Sequence, residues 1–137
     1  MSVEENKALV RREQAELWNH TGNLDAAAEL FAPDRVEDAK QEAADFRRGF
    51  PDVISTIEDL IAEGDKVVAR WRSHATHRGD YMGIAPSGKE VQFTGISVYR
   101  IEGGKIAESW NSEDQLGLMR QIGAIPEPEQ SEEASPT

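Results

Sequence analysis

Asp114, in the run Trp110-Asn111-Ser112-Glu113-Asp114, and His77, closing the segment Lys66 to His77, are two of the 26 acids and three histidines whose types can be tuned to pass a proton near neutral pH. Successive side chains of an extended strand point to opposite faces. On that alternation Trp110, Ser112 and Asp114 share one face, Trp71 and His77 share one face, and Phe93 and Tyr99 share a parity. Aromatic walls with one acid and one histidine describe a small apolar pocket with convergent polar groups. A carbonyl-bearing or polycyclic ligand would suit it. Each residue also has a plain structural reading: Asp114 as the N-cap of a following helix, His77 as a strand-end histidine bonded to backbone, and Trp18, Trp71 and Trp110 as core. His74 lies three residues from His77 and so on the opposite face, a poor geometry for a metal pair. His20 stands at the end of the first helical segment, where the dipole favours a cation.

Other chemistries lack the residues they need. The absence of cysteine from the 137 residues removes a disulfide framework, a thiolate nucleophile and Cys-ligated zinc or iron-sulfur clusters. There is no Gly-x-Ser-x-Gly elbow, no P-loop ending in Ser or Thr, and no Gly-x-Gly-x-x-Gly after a strand. The formal charge of −11, with no cluster of Lys and Arg among aromatics, repels phosphate backbones and argues against nucleic acid. The opening MSVEENKALVRREQ is not a signal peptide, and no stretch approaches the roughly 20 apolar residues of a membrane span. A cytoplasmic protein with no metal and no cofactor is expected.

The elements that must position these residues follow from periodicity. A first amphipathic helix is expected from Glu4 to about His20, and a second from Leu24 to Phe31, with Asn23 as N-cap and Pro33 closing it. A third runs from Val36 to Phe50 on the stripe Val36, Ala39, Ala43, Phe46 and Phe50, stopped by Pro51. The period then becomes two: strands are expected at Ser55–Ile61, Lys66–His77, Glu90–Ile101 and Lys105–Trp110, with turns at Glu63-Gly64-Asp65 and Glu102-Gly103-Gly104 and a Gly/Pro loop at Gly83–Gly88. A short helix fits Gln115–Ile122, and PEPEQSEEASPT after it has no branched apolar or aromatic residue to bury. Helices followed by antiparallel strands read as α+β.

The run Phe50 to Gly123, with "IAEGDKVVARW", "THRG" at Thr76–Gly79, "GIAPSGK", "FTGISVYRIEGGKI" and "WNSEDQLGLMRQIG", closely resembles the SnoaL-like polyketide cyclase or ester cyclase family of the NTF2-like superfamily; "ENKALVRREQAELWNHTGNLDAAAELFAPD" matches it too. The resemblance implies an NTF2-like cone, three N-terminal helices packed on a curved antiparallel sheet of about four strands, as one domain over residues 1–124 with an acidic disordered tail at 125–137. It also implies a pocket for a small hydrophobic or carbonyl-containing molecule. By motif match Asp114 is then the general acid/base of a cofactor-independent cyclase, isomerase or hydrolase, and strand parity adds His77 in support and Trp71, Phe93, Tyr99, Trp110 and Ser112 as substrate-binding residues. An apolar pocket would raise such an Asp from about 3.9 toward neutrality. The alternative within the same fold is a non-catalytic ligand-binding or dimerisation domain with a degenerate pocket. The sequence departs from the family pattern where Phe31-Ala32-Pro33-Asp34 runs almost directly into Val36, with no intervening short strand and no His, and where Ser112 and Glu113 replace apolar or aromatic positions. Cones of this kind usually pair through the outer sheet face, so a homodimer is expected, with Val68, Ile96 and Val98 on that face.

Overall fold

The computed structural model describes residues 2–126, so most of the acidic segment expected at 125–137 lies outside the described residues. Helix α1 (Val3–Leu17) starts on a capping box: the Ser2 hydroxyl accepts from the Glu5 N–H and the Glu5 carboxylate accepts from the Ser2 N–H. The helix ends three residues before the expected His20. The cation at its C-terminal end is Arg47, whose guanidinium donates to the carbonyls of Glu16, Leu17, His20 and Gly22. Asn23 caps a 3₁₀ turn (Leu24–Ala26) that continues into the single-turn α2 (Ala27–Leu30). A second 3₁₀ turn (Pro33–Arg35) hands over directly to α3 (Val36–Gly49), so the chain between these helices is as short as the sequence implies.

The four strands β1 (Ile54–Glu63), β2 (Lys66–Thr76), β3 (Glu90–Glu102) and β4 (Lys105–Glu113) form one antiparallel sheet in the order β1-β2-β3-β4, and α4 (Gln115–Gln121) follows β4. On β2 and β3 the odd residues face the helices: Val67, Ala69, Trp71, Ser73 and Ala75 on one, Val91, Phe93, Ser97, Tyr99 and Ile101 on the other, all buried. The even residues, including Val68, Ile96 and Val98, lie on the outer face. Four helices on an open four-stranded antiparallel sheet make an NTF2-like α+β cone. Among the described residues no helix is long and apolar enough to cross a membrane.

The core has two parts. Val10, Leu17, Ala27, Leu30, Phe31 and Ala43 pack with Val67, Tyr99, Ile101 and Ile106 at one end. Phe50, Val53, Trp71, Val91, Phe93, Leu118 and Ile122 pack at the other. A cavity separates the helices from the sheet between them.

Candidate functional site

The helical side of the cavity is set by the stripe α1 presents. Its buried residues are Asn6, Val10, Glu13, Gln14 and Leu17, at spacings of three and four. Of the apolar residues that make the helix look amphipathic in sequence, Ala8 and Ala15 point outward, and the inward face is half polar. Glu13 and Gln14 are thereby carried into the cavity wall, where α3 adds Ala39, Glu42 and Phe46, and the sheet adds Trp71, Ser73, Phe93, Ser97, Tyr99, Ser109, Asn111 and Glu113. The cavity has a volume of about 360 Å³, enough for a molecule of one or two rings within the usual range of ligand sites.

Glu13 is its most unusual group. The side chain is 4% exposed; one carboxyl oxygen accepts from the Trp18 indole N–H at 2.8 Å and the other from the Tyr99 hydroxyl at 3.0 Å. Burial raises its pKa from 4.5 to about 7, against the opposing pull of these two donors, and the charge of Glu42 adds to the rise. Tyr99 in turn is held well above its ordinary value by burial and by the adjacent Glu13 carboxylate, so it stays a hydrogen-bond donor at neutral pH. Partial burial and the Glu42 charge also raise Glu113. Five carboxyl groups and one guanidinium line the cavity, the rim acids Asp38 and Asp45 being paired with Arg35 and Arg48.

Trp71, Phe93 and Tyr99 stand in the cavity wall. Trp110 and Ser112 do not. Ile106 at the start of β4 points inward and pairs with Ile101, but the register slips by one residue before Glu108 meets Arg100. This β-bulge reverses the parity of everything after it. Ser109, Asn111 and Glu113 therefore face the cavity, while Trp110 and Ser112 face outward, Trp110 half exposed.

Asp114 lies beyond the strand and is exposed. Its carboxylate accepts from the Gly117 N–H at 2.9 Å as the N-cap of α4. A Cβ on Gly117 would come within 2.2 Å of that carboxylate, so the glycine leaves the room the cap needs. Asp114→Ala is expected to lower stability by about 1 kcal/mol, the usual cost of a lost cap, measured by urea denaturation, while the pH dependence of ligand binding stays as in the wild type.

His77 sits just past β2, fully buried and stacked on Phe50 at 5.3 Å, outside the cavity lining. Its Nδ1 accepts from the Ser87 N–H at 3.1 Å and lies 3.0 Å from the Ser87 hydroxyl. Its backbone bonds to Lys89 and Gly88 close the same loop, and that loop brings Tyr81 and Met82 to the cavity. The structure thus places Trp71, Phe93 and Tyr99 in the wall of the same cavity as Glu13, with Tyr99 bonded to it, and His77, Trp110, Ser112 and Asp114 elsewhere. Glu13 was legible in one way only: it falls three residues from Val10 and four from Leu17, on the face those two buried residues define.

The comparisons agree with this architecture. The sequence model of the SnoaL-like polyketide cyclases matches residues 8–122. No curated protein matches the chain in sequence. Among solved structures, AclR from Streptomyces galilaeus, proposed to be a hydroxylase, is 28% identical with a TM-score of 0.85, covering 98% of this chain and 91% of its own. TsrD from Streptomyces laurentii is 27% identical with a TM-score of 0.84, covering 91% and 99%. A protein from Jannaschia sp. CCS1, proposed to be a SnoaL-like polyketide cyclase, is 26% identical with a TM-score of 0.82, covering 90% and 94%. With the match running through nearly all of the described residues, the chain belongs to the SnoaL-like polyketide cyclase family.

Proposed function

We propose that this protein is a cyclase- or isomerase-type enzyme that moves a proton at the carbon beside a carbonyl, with Glu13 rather than Asp114 as general acid/base. The observation that supports this reading is a carboxyl buried in the wall of a ligand-sized cavity with its pKa raised to about 7, close to the pH at which a base of this kind is most useful. The ionised carboxylate takes a proton from the α-carbon, and the electron pair of the C–H bond passes into the enolate. The protonated carboxyl then returns the proton, either to another carbon of the enolate or to the alkoxide formed when the enolate attacks a second carbonyl of the same molecule. Trp18 and Tyr99 hold the carboxyl in place through both stages. The steps as written need no cofactor.

The direct test is exchange of the α-protons of 2-tetralone in D₂O, followed by NMR. The protein is expected to accelerate exchange, and Glu13→Gln to remove at least about a hundredfold of that acceleration; exchange undiminished in Glu13→Gln, or binding of the ketone without any exchange, contradicts the reading, the second favouring the non-catalytic binding role.

The outer sheet face supports a homodimer. Ile61, Val68, Val98 and Trp110 are register neighbours across all four strands and form an apolar row, with Ile61 63% and Trp110 49% exposed. Beside it Arg70 pairs with Asp59 and Glu58, so two copies packed row on row would meet with charges of both signs around an apolar strip. Sedimentation is expected to show a species of twice 15.2 kDa that Trp110→Glu converts to monomer; a wild-type monomer at micromolar concentration contradicts it.

A further inference from the structure

The hydrogen bonds inside the cavity run in a determined direction. Trp71 Nε1 can only donate, and it donates to Ser97 Oγ at 2.9 Å. That leaves Ser97 its single hydroxyl proton, which goes to the side-chain oxygen of Asn111 at 2.5 Å. The distance is that of an O–H···O bond and short for N–H···O, and with this pairing the amide nitrogen of Asn111 is the end turned away from Ser97. Trp71 and Ser97 are both buried, Ser97 only 3% exposed, while Asn111 is exposed, lining the cavity from the concave side of β4 at its open rim. The amide nitrogen of Asn111 makes no hydrogen bond among the described residues, although its oxygen is committed.

We infer that Asn111 binds the carbonyl oxygen of the ligand through its amide N–H, and that Ser97, locked by Trp71, is the positioning residue that turns this donor toward the cavity. The inference rests on the carbonyl-substrate reading above and deepens it, because it assigns the group that meets the developing enolate oxygen. A preorganised donor at that oxygen strengthens its bond as charge gathers there, which is where an enolising enzyme gains most. The arrangement also selects its ligand: an acceptor oxygen is held, whereas an isosteric alkene leaves the amide facing an apolar group.

The experiment uses the full chain and 2-acetylnaphthalene with a ¹³C-labelled carbonyl. Its affinity is followed by tryptophan fluorescence and its carbonyl stretch by infrared difference spectroscopy, at a pH high enough to ionise Glu13 so that this side chain donates nothing. In the wild type the stretch is expected to lie at lower frequency than for the ketone in hexane. In Asn111→Leu it returns toward the hexane value and the ketone binds about three- to tenfold more weakly. Ser97→Ala leaves the amide free to turn, so the band broadens and moves in the same direction, and Ser97→Thr, which retains the hydroxyl, restores it. A purely structural role for Ser97 would change stability without moving the band. Asn111 is on the rim rather than in the core, so its variant reads the contact even if Ser97→Ala folds poorly. An unshifted band in the wild type, or a shifted band unchanged in Asn111→Leu, overturns the inference and leaves the cavity reading standing. Failure of the ketone to bind overturns both.

Discussion

Glu13→Gln is expected to be more stable than the wild type by about 3 kcal/mol above pH 8 relative to the comparison at about pH 4. The folded state raises this carboxyl from 4.5 to about 7, so the native protein holds a proton that the unfolded chain has already released. A group with a raised folded-state pKa contributes its stability in full below the unfolded value and loses it as pH rises through the folded one. The loss for Glu13 therefore falls between about pH 4.5 and 7, and a gap of about 2.5 units corresponds to the figure given. Glutamine never ionises, so the variant lacks this loss. It also fits the site: its carbonyl oxygen accepts from one of the two donors, and its amide donates to Tyr99, whose hydroxyl can turn to act as acceptor. Glu113, also raised, titrates in both proteins and cancels in the comparison. Urea denaturation across the pH range checks this; parallel curves for the two proteins would contradict a buried, ionising Glu13. Gain of stability on removing a charge, together with loss of exchange activity, is the pattern of a group retained for function rather than for folding.

Gly95→Ala is the second large effect. Gly95 pairs with Trp71 across β2 and β3, and the indole lies over it so closely that a Cβ would fall 2.2 Å from Cζ2 and 2.6 Å from Cη2. The ring cannot move aside freely. It is held edge-on by Phe93 at 5.7 Å and by its hydrogen bond to Ser97. Overpacking of this kind costs roughly 1–3 kcal/mol, and here any relaxation pulls the indole N–H away from Ser97. Gly95→Ala is accordingly expected to lower the urea midpoint and to weaken ketone binding as Ser97→Ala does, although residue 95 touches no ligand in this account. Wild-type stability and affinity in the variant would show that the indole has room the structure does not give it.

The secondary structure was legible because each element carries its own punctuation. Asn23, Pro51, Gly64 and the Gly103-Gly104 pair sit at the boundaries the sequence implies, and the alternation on β2 and β3 is unbroken, so Trp71, Phe93 and Tyr99 share the concave face as expected. What misled was one residue of register. Nothing in the Lys105–Trp110 segment marks a bulge, yet the slip between Ile106 and Glu108 exchanges the two faces of β4. Asn111 and Glu113 gain the cavity, and Trp110 and Ser112 lose it. Asp114 departs for a separate reason: the strand ends at Glu113, and the short helix beginning at Gln115 takes the residue between them as its cap. Glu13 was hidden because a carboxylate in an amphipathic helix is ordinarily read as a solvated position. Only the packing of Val10 and Leu17 on either side of it shows that this one is not.

The most direct test of the account is a ¹³C NMR titration of the Glu13 side-chain carboxyl, assigned by its absence in Glu13→Gln. A midpoint near 7 is expected, sensed also by the Trp18 indole N–H that donates to the carboxyl; a midpoint near the ordinary 4.5 would mean a solvated acid and contradict its role as the base of this cavity.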